Sequence, residues 1–387
     1  MNASLTSHAI HLRPLGIDDT PAAWEMTQAL QWPHRPEDWQ DYIRWVSANG
    51  SPIAVCLEEK LIGTALVWHW GAHQASIGMV IISPEFQGRG FGRQLFQALM
   101  QGLENRDVLL HATTEGMPLY ASFGFRPQGI CQQYQGLWKP TADTPGNTAD
   151  TGPGNEIDPI TGVGIRPLRR EDQPALLALD ARRRGLARTE LLTEILTQAL
   201  DDETAQRPGQ PPANPPEMRA AVIENSDGQC DGFGLLRRFG RGWVLGPLHA
   251  ANDTQMLSII RWLTRGMEDQ FIRIDLPAHP RAFPDASSDA ATHASTHHPS
   301  ADEATTDGQT TTHLTGSETG HHATDPHAPG EQYAPMQIAL LGNWLQSQGL
   351  SKVAETVVMT RMGAPHDTAT PDGPLQSRYA LHTQATG

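Results

Sequence analysis

At 387 residues the chain is too long for one ordinary hydrophobic core, and length alone sets an expectation of two or three domains. Its formal net charge of −15 argues against nucleic acid or an anionic membrane as the main partner. Much of that charge falls in two polar segments, so acidity says little about the substrate.

A mean hydropathy of −0.42 is polar for a globular protein, and its uneven spread points to stretches that build no core. Cys56, Cys131 and Cys230 are an odd set without CxxC spacing, so they read as reduced thiols rather than a disulfide or zinc framework. The opening MNASLTSHAIHLRPL has no basic region followed by an apolar one, and no apolar run reaches membrane-spanning length. The expected location is cytoplasmic.

IHLRPLGIDD (10–19) reads as a short strand closed by proline, leading into the helical DTPAAWEMTQAL. The same order returns as VGIRPLRRED (163–172) before the helical DQPALLALDARRRG. This weak repeat predicts two similar domains starting near residues 8 and 163, with Asp19 and Asp172 as helix N-caps. Between them, PEDWQDYIRWVSANG (36–50) reads as a helix. Strands are expected at 53–57, 61–70 and 75–82, then a helix at 90–104, a strand at 107–113, a helix at 116–123 and a closing strand near 124–138. Early strands join by hairpins and later ones through helices, so the sheet is mixed and the fold class α/β.

Residues 139–162 are rich in Pro, Gly, Thr and Asp and read as a linker. A second tract, about 278–334, is dominated by Ala, Thr, His, Asp and Ser and offers nothing for a core. It holds His297–His298 and His321–His322, but metal ligands need fixed geometry and supporting contacts, so the expectation is a solvated insertion and no metal.

PEFQGRGFGRQLF (84–96) places a glycine-rich turn after an apolar strand and before an amphipathic helix. Such a turn presents unpaired N–H groups at the positive end of a helix, which suits a phosphate. A P-loop needs Gly-Lys-Ser/Thr, which is missing. The dinucleotide fingerprint needs GxGxxG early in a βαβ unit, whereas here GxGxG follows three antiparallel-type strands. A third pattern fits: Gln87-x-x-Gly90-x-Gly92 resembles the acyl-CoA turn of the GNAT family of N-acyltransferases. LLHATTEGMPLYASFGFRP (109–127), with Tyr120 and Gly124–Phe125, resembles that family's next motif.

The resemblance extends to tandem-GNAT proteins. DGFGLLRRFGRGWVLGPLHAAND (231–253), IRIDLP (272–277) and LGNWLQSQGLSKVAETVVMTRM (341–362) match the second half of such proteins. It implies an N-terminal GNAT domain at 1–138 carrying acetyl-CoA binding and catalysis, then the linker at 139–162. A GNAT-like domain at 163–387 would follow, each domain a mostly antiparallel mixed sheet flanked by helices. His111 departs from the pattern, since these relatives more often carry Asp there.

What the resemblance implies for the site is specific. Val80, Ile81 and Ile82 would offer backbone partners to the pantetheine arm, with an N–H near Ile81 polarising the thioester. Gln87, Gly88, Gly90, Phe91 and Gly92 would form the pyrophosphate turn, with Arg89 or Arg93 adding charge. Tyr120 would be the general acid toward the leaving sulfur. No base stands out: Glu85 reads as a solvated loop residue, while His69 and His111 could each accept an amine proton. Trp24, Trp32, Trp39 and Trp45 would line the acceptor side.

The second half lacks the turn, since only Gly246 precedes the helix capped by Asn252 or Asp253. It is therefore expected to bind no CoA productively; its exposed Arg237, Arg238 and Arg241 could contact an acidic group, with a solvated charged face as the default reading. The expected activity is acetyl transfer from acetyl-CoA to a primary amine of a small molecule or peptide. The alternative is a non-catalytic acyl-CoA-binding regulator on the same fold.

Overall fold

In the computed structural model, which describes residues 10–141, 156–158, 160–184, 186–204, 217–278 and 336–363, the two Arg-Pro-Leu motifs build the same corner twice. The Arg13 guanidinium donates to both Asp19 carboxylate oxygens, at 2.7 and 2.8 Å, and the Gly16 N–H adds a third donor at 2.8 Å. Arg166 grips Asp172 the same way at 2.7 and 2.8 Å, with the Arg169 N–H at 2.7 Å. The aspartates therefore do not cap the following helices, as the sequence suggests. They lock the strand end to the turn through a bidentate ion pair six residues long, which is what the repeat encodes. Leu15 and Leu168 drop into the core beside them.

The first half runs β1 (His11–Pro14), α1 (Thr20–Ala29), α2 (Pro36–Asn49), β2 (Gly50–Leu57), β3 (Lys60–Trp70), β4 (Gln74–Ile82), α3 (Phe91–Gln101), β5 (Asp107–Ala112), α4 (Met117–Ala121) and β6 (Arg126–Leu137). The second half adds β7 (Glu156–Ile157), β8 (Gly164–Pro167), α5 (Gln173–Arg184), α6 (Thr189–Thr204), β9 (Met218–Glu224), β10 (Cys230–Phe239), β11 (Gly242–His249), α7 (Asp253–Leu263), β12 (Phe271–Ala278), α8 (Met336–Ser347) and β13 (Ser351–Arg361). Strand β2 starts at Gly50, earlier than expected, because the absent Cβ lets the chain lie against the Val67 carbonyl. β7 falls inside the segment expected as linker and pairs with β8. The histidine-rich tract from 279 onward lies outside the described residues.

All the strands form one sheet, in the order β1-β2-β3-β4-β5-β13-β6-β12-β11-β10-β9-β8-β7. Each half gives a strand to the other. β13, from the C-terminal end, pairs antiparallel with β5 of the first half (Val357↔Ala112 to Arg361↔Val108). β6, which ends the first half, lies between β13 and β12, pairing Leu137↔Phe271 through Ile130↔Ala278. At this crossing Gly136 packs directly on the Gly349 carbonyl, where a side chain would clash with backbone.

Three clusters flank the sheet. α3 and α4 cover one face of the first half with Phe91, Leu95, Phe96 and Tyr120. α7 and α8 cover the corresponding face of the second with Met256, Ile259, Leu341 and Leu345. Between the halves, one core joins Trp39, Tyr42 and Trp45 of α2 to leucines of α5 and α6 and to Phe233, Leu235 and Phe239 of β10. Among the described residues no helix is long and apolar enough to cross a membrane.

Candidate active site

β4 and β5 pair in parallel only from Gln74↔Asp107 to Ile77↔Leu110. Beyond Ile77 they part, and a bulge marks the place: Met79 has φ of 48°. The bulge also reverses which residues face which side. Ala75 and Ile77 lie in the α3 cluster, whereas Met79 and Ile81 lie in the core between the halves.

Past the bulge the alternation of the backbone can be followed bond by bond. Thr64 Oγ1 donates to the Met79 carbonyl at 2.8 Å, the Ile81 carbonyl lies against Gly63, and the Ser83 N–H donates to Ile62 at 2.8 Å. Residues 79, 81 and 83 thus turn their polar groups to β3. Val80 and Ile82 turn theirs to the open edge facing β5. Of the stretch Val80, Ile81 and Ile82, it is Val80 and Ile82 that present donors to the cleft.

The turn follows at once. The Gln87 side-chain amide donates to the Ile82 carbonyl at 2.8 Å and ties the turn to the end of β4. Gly88 and Gly90 have φ of 74° and 82°, which side chains rarely tolerate, and a Cβ on either would point into open space. Gly92 lies in α3, in ordinary contact distance of Leu119 and Ile82. The ladder of α3 begins with Gln94 N–H on the Gly90 carbonyl at 3.1 Å, so the N–H groups of Phe91, Gly92 and Arg93 stand ahead of it. Arg89 donates to the Glu85 carbonyl at 3.0 Å and covers Phe86, and Arg93 donates to Ser122 Oγ at 3.1 Å. Open N–H groups, a vacant space above the two glycines and the helix dipole together fit a pyrophosphate.

Residues 21–125 match the profile of the Acetyltransferase (GNAT) family, and residues 176–296 match the Acetyltransferase (GNAT) domain. The chain belongs to the GNAT family. The chain is 27% identical over 207 residues to the uncharacterized N-acetyltransferase YitH of Bacillus subtilis, a match covering 52% of this chain and 60% of that one. It is 37% identical over 78 residues to the chloroplastic GCN5-related N-acetyltransferase 2 of Arabidopsis thaliana, covering 19% of this chain and 30% of that one. In fold it is similar to a GCN5-related N-acetyltransferase from Sphaerobacter thermophilus, with TM-score 0.54, 12% identity, and 93% and 98% of the two chains covered. A tandem GNAT protein from the clavulanic acid biosynthesis pathway gives 0.53, 14%, and 93% and 100%.

In this GNAT chain, Tyr120 lies on α4 with its ring 4.9 Å from Phe96 and 6.3 Å from Phe125. Burial pushes its phenol up to about 12. His111 lies on the part of β5 beyond the parting, on the side facing the core between the halves, with Nδ1 3.5 Å from Thr356 Oγ1 of β13. His69 pairs with Ala75, at the closed end of the β4–β5 pair, and burial lowers its pKa. Glu85 is exposed and pairs with Lys60 at 3.2 Å.

The second half repeats the splay without the cradle. β11 pairs with β12 only over Trp243–Leu245, yet Gly246 to Ala250 are all buried. At α7 the Asn252 side chain already accepts the Gln255 N–H at 2.9 Å, and Ala251 N–H donates to Gln255 Oε1 at 2.7 Å. His249 is tied to Asp180 at 2.7 Å, and Asp180 to Arg188 at 2.6 Å. One expectation is overturned here. Arg237 is 4% exposed, not part of a solvated face, because alternation on β10 turns it inward between Leu235 and Phe239. Arg241 is exposed, as expected. Trp39 and Trp45 are core residues, while Trp24 and Trp32 are partly buried against that core.

Proposed function

We propose that the chain transfers an acetyl group from acetyl-CoA to a primary amine of a small molecule or peptide. The observation that carries this reading is the coincidence of three features along β4 and the turn that follows it: the parting of β4 from β5, the Met79 bulge, and the two positive-φ glycines ahead of α3. Acetyl-CoA would supply the activated thioester. The N–H groups of Gly88, Arg89, Gly90, Phe91 and Gly92 would hold its pyrophosphate, with Gln87 keeping the turn docked on β4. The Val80 N–H, facing the open edge, is the donor for an oxygen that gains negative charge during acyl transfer.

Tyr120 donates a hydrogen bond to the departing sulfur. With its phenol at about 12 and a thiol near 8.5, full transfer would be uphill by roughly 5 kcal/mol, so the proton that finally reaches sulfur comes from the amine nitrogen. His111, on the acceptor side of the cleft, would take that proton from the nitrogen, directly or through a water, and release it through solvent to the leaving thiolate.

Calorimetry with CoA tests the cradle. Gly90→Val should weaken CoA binding at least 10-fold, since the added side chain enters the open space and the positive φ resists it. Unchanged affinity would remove the turn from the site.

A further inference from the structure

The core between the halves holds a cation whose hydrogen bonds are not spent. The Arg237 guanidinium lies 5.7 Å from the ring centre of Trp45 and 5.3 Å from that of Phe239. Its Nη1 donates to the Arg238 carbonyl at 3.3 Å, while Nε and Nη2, both buried, have no hydrogen-bond partner among the described residues. Those two atoms form one edge of the planar fork. Elsewhere in this chain the same edge holds a carboxylate: Arg273 uses it on Asp275 at 2.9 and 2.7 Å, and Arg188 on Asp180 at 2.8 and 2.6 Å.

The carboxylates near Arg237 are engaged by others. Asp38 takes the Arg35 guanidinium at 2.8 Å and the Gly240 N–H at 2.9 Å, and Asp41 takes Arg44 at 2.9 Å. A buried fork with two idle donors is costly to fold and calls for a partner.

We infer that Arg237 receives the carboxylate of the amine acceptor, whose neighbouring apolar or aryl group lies against Trp45, Phe239 and His34. This rests on the acyl-transfer reading and names its acceptor class. Two idle donors side by side match two carboxylate oxygens. A dianionic phosphate fits less well, because Arg273 is spent on Asp275 and two aspartates stand close by. From Trp45, ring contacts run to Tyr42 at 6.2 Å and on to Trp68 at 6.5 Å, and Trp68 pairs with Ser76 in the joined part of β4 and β5. On the same face of the sheet, Arg273, Asp275, Gln133 and Thr356 lead across β12, β6 and β13 to His111. An acceptor spanning this face would set its amine near the parting of β4 and β5.

The test uses the full chain and two probes that carry no amine, phenylacetate and its neutral counterpart phenylacetamide, titrated by calorimetry with and without CoA. Phenylacetate is expected to bind at least 10-fold more tightly than the amide. Arg237→Met should lose at least 10-fold in phenylacetate affinity, Arg237→Lys should fall between, and CoA affinity should not change. Equal binding of the two probes, binding of neither, or full phenylacetate affinity in Arg237→Met would overturn the inference. Should the methionine variant not fold, the lysine variant and the probe pair on the unaltered chain still decide it. No acetyl transfer enters the readout, so its failure is distinct from failure of the acyl-transfer reading, which an amine panel would expose.

Discussion

The phenol of Tyr120 is held against Phe96 and Phe125, and with its acidity pushed to about 12 it is a neutral donor at any working pH. Tyr120→Phe should lower kcat 10- to 100-fold, about 1.4–2.7 kcal/mol of barrier, with little effect on stability because the ring contacts with Phe96 and Phe125 are kept. Steady-state rates across pH check this; unchanged turnover throughout would remove Tyr120 from the chemistry. His34 makes a different prediction. Burial, aided by the positive charge of Arg273, lowers its imidazole to about 3. Below pH 6.5 the unfolded chain takes up a proton that the native His34 refuses, so its contribution is present above 6.5 and is lost as pH falls toward 3. Between pH 6.5 and 5 the loss is about 2 kcal/mol. Urea unfolding of the unaltered chain and of His34→Leu should show a shallower pH dependence in the variant; identical slopes would contradict it.

At the level of elements, the glycine turn was legible because positive φ leaves a mark in composition: Gly88 and Gly90 stand where the backbone needs them. The bulge was not, since nothing in the stretch GMVII announces that Met79 turns to φ of 48° and passes the cleft-facing role from Ile81 to Val80. Arg237 was hidden for a similar reason. In LLRRFGR the inward and outward faces of β10 read equally charged, and only the packing of α2 against Phe239 decides between them. The exchange of β6 and β13 depends on pairings more than two hundred residues apart, which no local pattern records. It carries a prediction. With a protease site placed within residues 142–155, cleavage should leave the two pieces together on size-exclusion chromatography without denaturant, because β6 lies between β12 and β13. Separation of the pieces would show that the exchange contributes little.

For the whole molecule, the repeat did announce two related halves, and the Arg13–Asp19 and Arg166–Asp172 pairs show what the repeated letters do. What the halves share is one sheet and one central core, so the second half supplies β13 beside β5 and Arg237 behind α2. Its own splay is buried and its helix start already capped, so in the proposed reading the open cleft of the first half would carry the chemistry. The most direct test follows free thiol while the full chain is incubated with acetyl-CoA and a panel of primary amines, carboxylated and neutral. The account predicts amine-dependent thiol release, lost in Gly90→Val and reduced in Tyr120→Phe. Tight CoA binding with no amine-dependent release from any acceptor would contradict it and favour a regulator that only binds acyl-CoA.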